Sequence, residues 1–183
     1  MSRQGQLLIA HPKLPQNNPF YKTVIYIFED DAVGTQGIIL NKSTKYSVNN
    51  FIQSQGFEMG LSPENMRFGG PVSSKMVFML HTDDWESASS YPVGKGLMLS
   101  CDDFMLEKLA MGYQPGLWRM MVGVCAWQPG QLDMELQGEK PYRPENSWLT
   151  ADANDNILFL YDGEKQWEKA MSLSSKQMIN SYF

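Results

Sequence analysis

Trp118-Arg119-Met120-Met121-Val122-Gly123-Val124-Cys125-Ala126, running on into Trp127-Gln128-Pro129-Gly130-Gln131-Leu132, is the stretch on which the fold turns. Its first part is a long apolar run rich in Met and Val, and it reads most simply as a central strand. Pro129-Gly130 then turns the chain into a short amphipathic helix carried by Leu132 and Leu136.

Working outward, Leu97-Met98-Leu99 reads as a strand running into Ser100-Cys101-Asp102-Asp103. The Ser-x-x-Asp spacing there predicts an approximate capping box opening a helix that ends near Gly112, with Phe104, Leu106, Leu109 and Ala110 toward the core. Positions 76–81 predict a further strand, followed by a polar loop over 82–92. Nearer the start, 6–10 is a short strand halted by His11-Pro12. The β-branched and aromatic run 23–28 and the compact run 37–41 predict a hairpin across the turn material around Gly34. Ser47 caps a helix whose apolar positions Val48, Phe51 and Ile52 recur at helical spacing and which Gly56 stops. Gly60 to Pro63 breaks the chain, and Met66-Arg67-Phe68 leads into Gly69-Gly70-Pro71-Val72. Toward the C-terminus, 157–161 predicts a last strand and 164–173 a last helix. This irregular alternation of strands and helices predicts an α+β fold or a mixed sheet rather than a regular parallel repeat.

The chain has 183 residues, the range of one domain, and neither repeat nor linker divides it. At 43% hydrophobic and 19% charged residues it has an ordinary globular balance, so it is expected to fold without a partner. Its net charge of -5 repels nucleic-acid backbones and anionic membranes at long range. No apolar stretch approaches the roughly 18 residues of a membrane span, and the opening segment lacks a signal-peptide core. Cys101 and Cys125 sit in apolar surroundings without metal-ligand spacing, as reduced thiols would. A cytoplasmic location is therefore expected.

Four segments together resemble the YqgE/AlgH family: Gly37-Ile38-Ile39-Leu40-Asn41, Gly69-Gly70-Pro71-Val72, Val77-Phe78-Met79-Leu80-His81, and Ala126-Trp127-Gln128-Pro129-Gly130-Gln131-Leu132-x-x-Glu135-Leu136. Leu7-Leu8-Ile9-Ala10-x-Pro12 and Trp148-Leu149 extend the similarity to nearly the whole chain. The resemblance implies one α+β domain over residues 1–183, with a mixed, partly barrel-like sheet flanked by helices. It also implies a bacterial cytosolic protein of a kind sometimes described as a transcriptional regulator. The family supplies no accepted catalytic residues, so none is carried over. This chain departs from the family pattern at His11, where an apolar residue is usual, and at Ala126, where Gly is usual. Its 138–147 loop also looks longer than the family norm.

Each candidate chemistry has a plain structural counterpart. Gly69-Gly70-Pro71-Val72 lacks the spaced glycines and Lys-Ser/Thr of a phosphate loop and reads as a tight turn, although its amides could meet an anion. Cys101 at a helix start would be a thiolate candidate, but Asp102 and Asp103 oppose that charge. Cys125 reads as a core thiol. His81 ends an apolar strand and would act as a general base if Asp83 or Asp84 oriented it; otherwise it is structural. With only His11 and His81 present, no His-rich metal site is expected, and no cofactor fingerprint occurs. Thirteen methionines suggest core filling, with an adaptable binding surface as the alternative.

Trp127, Gln131, Glu135 and Trp148 form the richest constellation, with Gln131 and Glu135 on one helical face. They either satisfy backbone groups while the indoles fill core edges, or they line a small cleft facing the Gly69-Gly70 turn. The expected binding surface is accordingly Gly69, Gly70, His81, Trp127, Gln131, Glu135 and Trp148. The leading function is a non-enzymatic regulatory or protein-binding module. The alternatives are a hydrolase-like enzyme using His81 with Glu135 or Cys101, and a nucleic-acid-binding regulator, which the charge opposes.

Overall fold

The computed structural model describes residues 2–58, 64–141 and 148–181. The expected break at 60–63 and most of the 138–147 loop lie outside them. The strands are β1 (Gln6–Ala10), β2 (Val24–Asp30), β3 (Thr35–Ile39), β4 (Ser43–Ser47), β5 (Asn65–Phe68), β6 (Val72–Thr82), β7 (Tyr91–Gly94), β8 (Leu97–Ser100), β9 (Trp118–Trp127) and β10 (Trp148–Asp152). The α-helices are α1 (Val48–Ser54), α2 (Asp103–Ala110), α3 (Gln131–Gln137) and α4 (Gly163–Asn180).

One sheet runs β10-β1-β2-β3-β9-β6-β8-β7, so the Met- and Val-rich strand β9 does lie in the middle. Strand β9 shares one edge between two neighbours. Its C-terminal end pairs antiparallel with β3 through Gly37↔Cys125, and its middle pairs parallel with β5 through Arg67↔Met121. The opposite edge pairs with β6. The parallel β5 pairing, with β4 lying outside β5, makes the sheet mixed. The β2–β3 hairpin forms as expected, in the register Ile25↔Ile39.

Alternation along the strands divides the apolar residues between faces. Leu7, Ile9, Val24, Tyr26, Ile38 and Leu40 point into one core with Phe78, Leu80, Leu99 and Ala170 of α4. Leu8, Ile25, Ile27 and Ile39 point the other way, against Trp127, Leu132 and Trp148. Because both faces are covered, β1 and β2 read as continuous apolar runs, and each fully buried Leu or Ile contributes about 1.5–3 kcal/mol. A third cluster packs α1 and α2 onto β6 and β9, with Met66, Met79, Met105 and Met120 filling it. The hydroxyl of Tyr26 reaches across the concave interior and donates to Val93 O at 2.7 Å, tying β2 to the far edge strand β7. The sheet is therefore curled into a half-barrel, and the α+β, partly barrel-like expectation holds.

Four local expectations change. Positions 157–161 form a π-helical turn, Asn156–Leu160, and the last strand is Trp148–Asp152, which takes the free edge of β1. Asn154 holds the turn, its side-chain oxygen accepting from Ile157 N at 3.0 Å and its carbonyl from Leu158 N at 3.0 Å. The cap of α2 is Asp102 rather than Ser100: its carboxylate accepts from Met105 N at 2.9 Å. That register buries Met105 and leaves Phe104 47% exposed. Finally, α4 extends well past 173, to Asn180. By contrast Ser47 caps α1 as the sequence suggests, accepting from Asn50 N at 3.1 Å.

Candidate functional site

At the end of β9, Gly130 adopts a left-handed conformation (φ 75°) that swings α3 back over the strand. Gln131 and Glu135 then face the strand side by side, and Gln131 Nε2 donates to Glu135 Oε1 at 2.9 Å. Glu135 Oε2 accepts from two indoles, Trp127 Nε1 at 3.1 Å and Trp148 Nε1 at 2.9 Å. One carboxylate thus clamps β9, α3 and β10 together. The two indoles meet edge to face at 6.4 Å, and Phe20 packs edge-on against Trp148 at 5.5 Å. Both tryptophans are buried, and charge-assisted hydrogen bonds satisfy their N–H groups.

Beside this clamp opens a cleft of about 350 Å³. Ala10, His11, Leu14, Asn18 and Phe20 form one wall; Pro71 and Val72 form another; Cys125, Ala126 and Trp127 lie beneath, with Gln131, Glu135, Pro141 and Trp148 closing it. Of the sequence-expected surface, Trp127, Gln131, Glu135 and Trp148 come together here. Gly69 and Gly70 lie behind the wall made by Pro71 and Val72. A Cβ on Gly69 would stand 2.2 Å from Gly123 O, and one on Gly70 would stand 2.1 Å from Val124 C. The turn is therefore a backbone-to-backbone crossing with β9, and Gly69 N donates to Val122 O at 2.8 Å. His11 and the loop residues Leu14, Asn18 and Phe20 were not grouped with the cleft in the sequence reading. Their only signal was His11 itself, where an apolar residue is usual.

His81 does not line the cleft, so its grouping with Glu135 and the glycine turn is corrected. It is fully buried on β6, with Nδ1 2.8 Å from Thr82 O and Nε2 2.8 Å from the hydroxyl of Ser100. Burial holds its pKa below the ordinary value, against the pull of the Thr82 carbonyl and the charge of Asp84. Neither Asp83 nor Asp84 orients the ring. Asp84 accepts instead from Thr82 Oγ1 at 2.5 Å and Gly116 N at 2.9 Å. Cys101 precedes the Asp102 cap and is not on the first turn of α2. Cys125 is a core thiol, its pKa pushed up to about 12 by burial. Among the described residues no group of three or more His, Cys, Asp or Glu side chains is arranged to hold a metal ion, and no helix is long and apolar enough to cross a membrane.

A curled, mixed-sheet α+β half-barrel with an aromatic-walled cleft beside its central strand is the class of protein that fold and site define. The AlgH-like family profile matches residues 7–178, and the chain belongs to that family. A UPF0301 protein of Methylococcus capsulatus is 36% identical over 169 residues, covering 91% of this chain and 88% of that protein. Another, from Shewanella baltica, is 34% identical over 179 residues, covering 92% and 89%. The solution structure of the AlgH protein from Pseudomonas aeruginosa superposes with a TM-score of 0.75 at 27% identity, covering 94% of this chain and 89% of that one. A crystal structure of a Corynebacterium diphtheriae protein shares the fold, with a TM-score of 0.70 at 20% identity, covering 91% and 84%.

Proposed function

We propose that this chain is a cytoplasmic, regulatory binding module, non-enzymatic at its cleft, which takes up an apolar side chain or short apolar segment of a partner protein. One observation carries the reading: the polar groups of Trp127, Trp148, Gln131 and Glu135 are committed to one another, and the surface left for a ligand is mainly aromatic and aliphatic. Glu135 has its carboxylate occupied by two indoles and an amide, which disfavours it as a proton-transfer group. Leu14, Phe20, Pro71 and Val72 offer apolar contact, with His11 and Asn18 at hand to orient a bound backbone. An acidic chain with such a cleft suits a protein partner better than a nucleic acid.

Ala126 is exposed on the floor of the cleft, so Ala126→Trp fills it without entering the core. Partners captured with the wild-type chain from its own cell extract are purified and titrated against both proteins by calorimetry. Affinity is expected to fall about tenfold or more in Ala126→Trp, the loss of one well-filled apolar subsite. Equal affinities would remove the cleft as the binding surface.

A further inference from the structure

Away from the cleft, His81 and Ser100 lie on adjacent antiparallel strands. Met79 pairs with Ser100, which puts His81 diagonally beside Ser100 on the same face. A carbonyl oxygen only accepts, so the Thr82 carbonyl fixes the neutral ring's proton on Nδ1 and leaves Nε2 to accept from the Ser100 hydroxyl at 2.8 Å. Trp85 stacks edge-on against the ring at 4.9 Å and holds its plane. A hydroxyl, a base accepting from it and a third group orienting the base are the parts of an activated nucleophile, here with a backbone carbonyl as orienter.

What covers the pair is equally specific. Ser90 Oγ lies 2.5 Å from Ser100 Oγ. Ser89 Oγ accepts from Cys101 N at 3.0 Å, the amide that immediately follows Ser100. In acyl transfer that amide is a position from which a tetrahedral oxyanion is stabilised. Loop hydroxyls therefore occupy both the approach to the nucleophile and the adjacent donor. Asp102 anchors the loop, accepting from Ser87 Oγ at 2.6 Å, Ser89 N at 2.9 Å and Ser89 Oγ at 2.5 Å. Ser87, Ser89 and Ser90 are partly exposed, while Ser100 and His81 are fully buried, so a short lift of the loop separates the covered pair from solvent-accessible chemistry.

We propose that Ser100 is a latent nucleophile with His81 as its base, shielded by Ser89 and Ser90, and that it accepts an acyl group from a small ester when this loop lifts. Ser100 Oγ forms a bond to the ester carbonyl carbon while its proton passes to His81 Nε2. The carbon–oxygen bond to the alcohol then breaks, and the alcohol leaves with that proton. Water, deprotonated by His81, cleaves the acyl-serine to a carboxylic acid and restores Ser100. This site is separate from the cleft, so either reading can fail alone.

The test uses p-nitrophenyl acetate with peptide mass spectrometry of the full chain. Ser89→Ala/Ser90→Ala removes the covering hydroxyls at partly exposed positions, and its fold is checked by circular dichroism and melting. Acetylation of Ser100 is expected to be about tenfold or more faster in that variant than in wild type, and about a hundredfold slower when His81→Gln is added. No acetyl group on Ser100 in the folded double variant overturns the proposal, as does a rate that His81→Gln leaves unchanged. If the His81→Gln protein does not fold, the presence or absence of the Ser100 adduct in Ser89→Ala/Ser90→Ala decides alone.

Discussion

Gly70 leaves no room for a methyl group. Its backbone (φ 156°) lies against Val124 and Cys125, and Gly123 opposite (φ 74°) lies against the carbonyl of Gly70. A side chain at either position would have to push two backbones apart as well as adopt a left-handed conformation. Gly5 is also left-handed (φ 88°), but an added Cβ there meets nothing within 4 Å. Gly70→Ala is therefore expected to cost about 3 kcal/mol or more, and Gly5→Ala about 1 kcal/mol, by urea unfolding. Similar losses at both positions would show that conformation rather than crowding governs the turn. The tight turn was legible in Gly69-Gly70-Pro71. Its crowding partner, more than fifty positions away, was not, because composition does not say which backbones cross.

Arg119 shows how strand, helix and turn depend on one another. It is buried on β9 and donates through Nη1 to Leu40 O at 3.2 Å and Gln166 Oε1 at 3.1 Å, and through Nη2 to Phe159 O at 3.1 Å and Tyr161 O at 2.5 Å. The π-helical turn and the start of α4 are thus pinned to the central strand by one guanidinium. Gln166 adds Nε2 to Ile157 O at 2.7 Å. Arg119→Met strands these acceptors in the interior and is expected to cost about 3–5 kcal/mol in urea unfolding. Arg119→Lys should recover only part of this, because an ammonium has three donors and no planar fork. A loss below about 1 kcal/mol in the Met variant would mean that water satisfies the carbonyls. The same contacts explain why 157–161 is not a strand. Its apolar, partly aromatic pattern suits either state, but β10 already holds the edge of β1, and the carbonyls of this segment are drawn to Arg119 and Gln166. Strands β4 and β7 also escaped the sequence reading, since Ser43-Thr44-Lys45-Tyr46-Ser47 is polar and Tyr91-Pro92-Val93-Gly94 is short and contains a proline.

For the molecule as a whole, acid is the predicted weakness. Burial lowers the His81 pKa in the folded chain below the 6.5 of an unfolded one, so between those values the unfolded chain binds more protons. The stability this gives is complete above pH 6.5 and declines as pH falls through the folded value. A second loss follows below about 3.8. At Asp102 burial raises the pKa, but hydrogen bonds from Ser87, Ser89 and Met105 outweigh it and leave the value low. At Asp162 burial is likewise outweighed, by Arg67 and Gly163 N. Urea midpoints measured from pH 7.5 to 3 should fall in these two steps, with the upper step absent from His81→Asn. A flat profile down to pH 4.5 would show that His81 is protonated in place without cost.

Local pattern alone settled the central place of β9, the β2–β3 hairpin, the Ser47 cap, the helix carrying Gln131 and Glu135 on one face, and membership in an α+β family. The local features follow from periodicity or turn chemistry within a short window, and the family resemblance from the order of motifs along nearly the whole chain. Tertiary structure alone decided that Trp148 shares a carboxylate with Trp127, that His81 faces Ser100 rather than an aspartate, and that the glycine turn backs the cleft instead of lining it. These depend on strand register and on crossings between distant segments. A periodic sequence specifies which side chains are buried without specifying which of them meet.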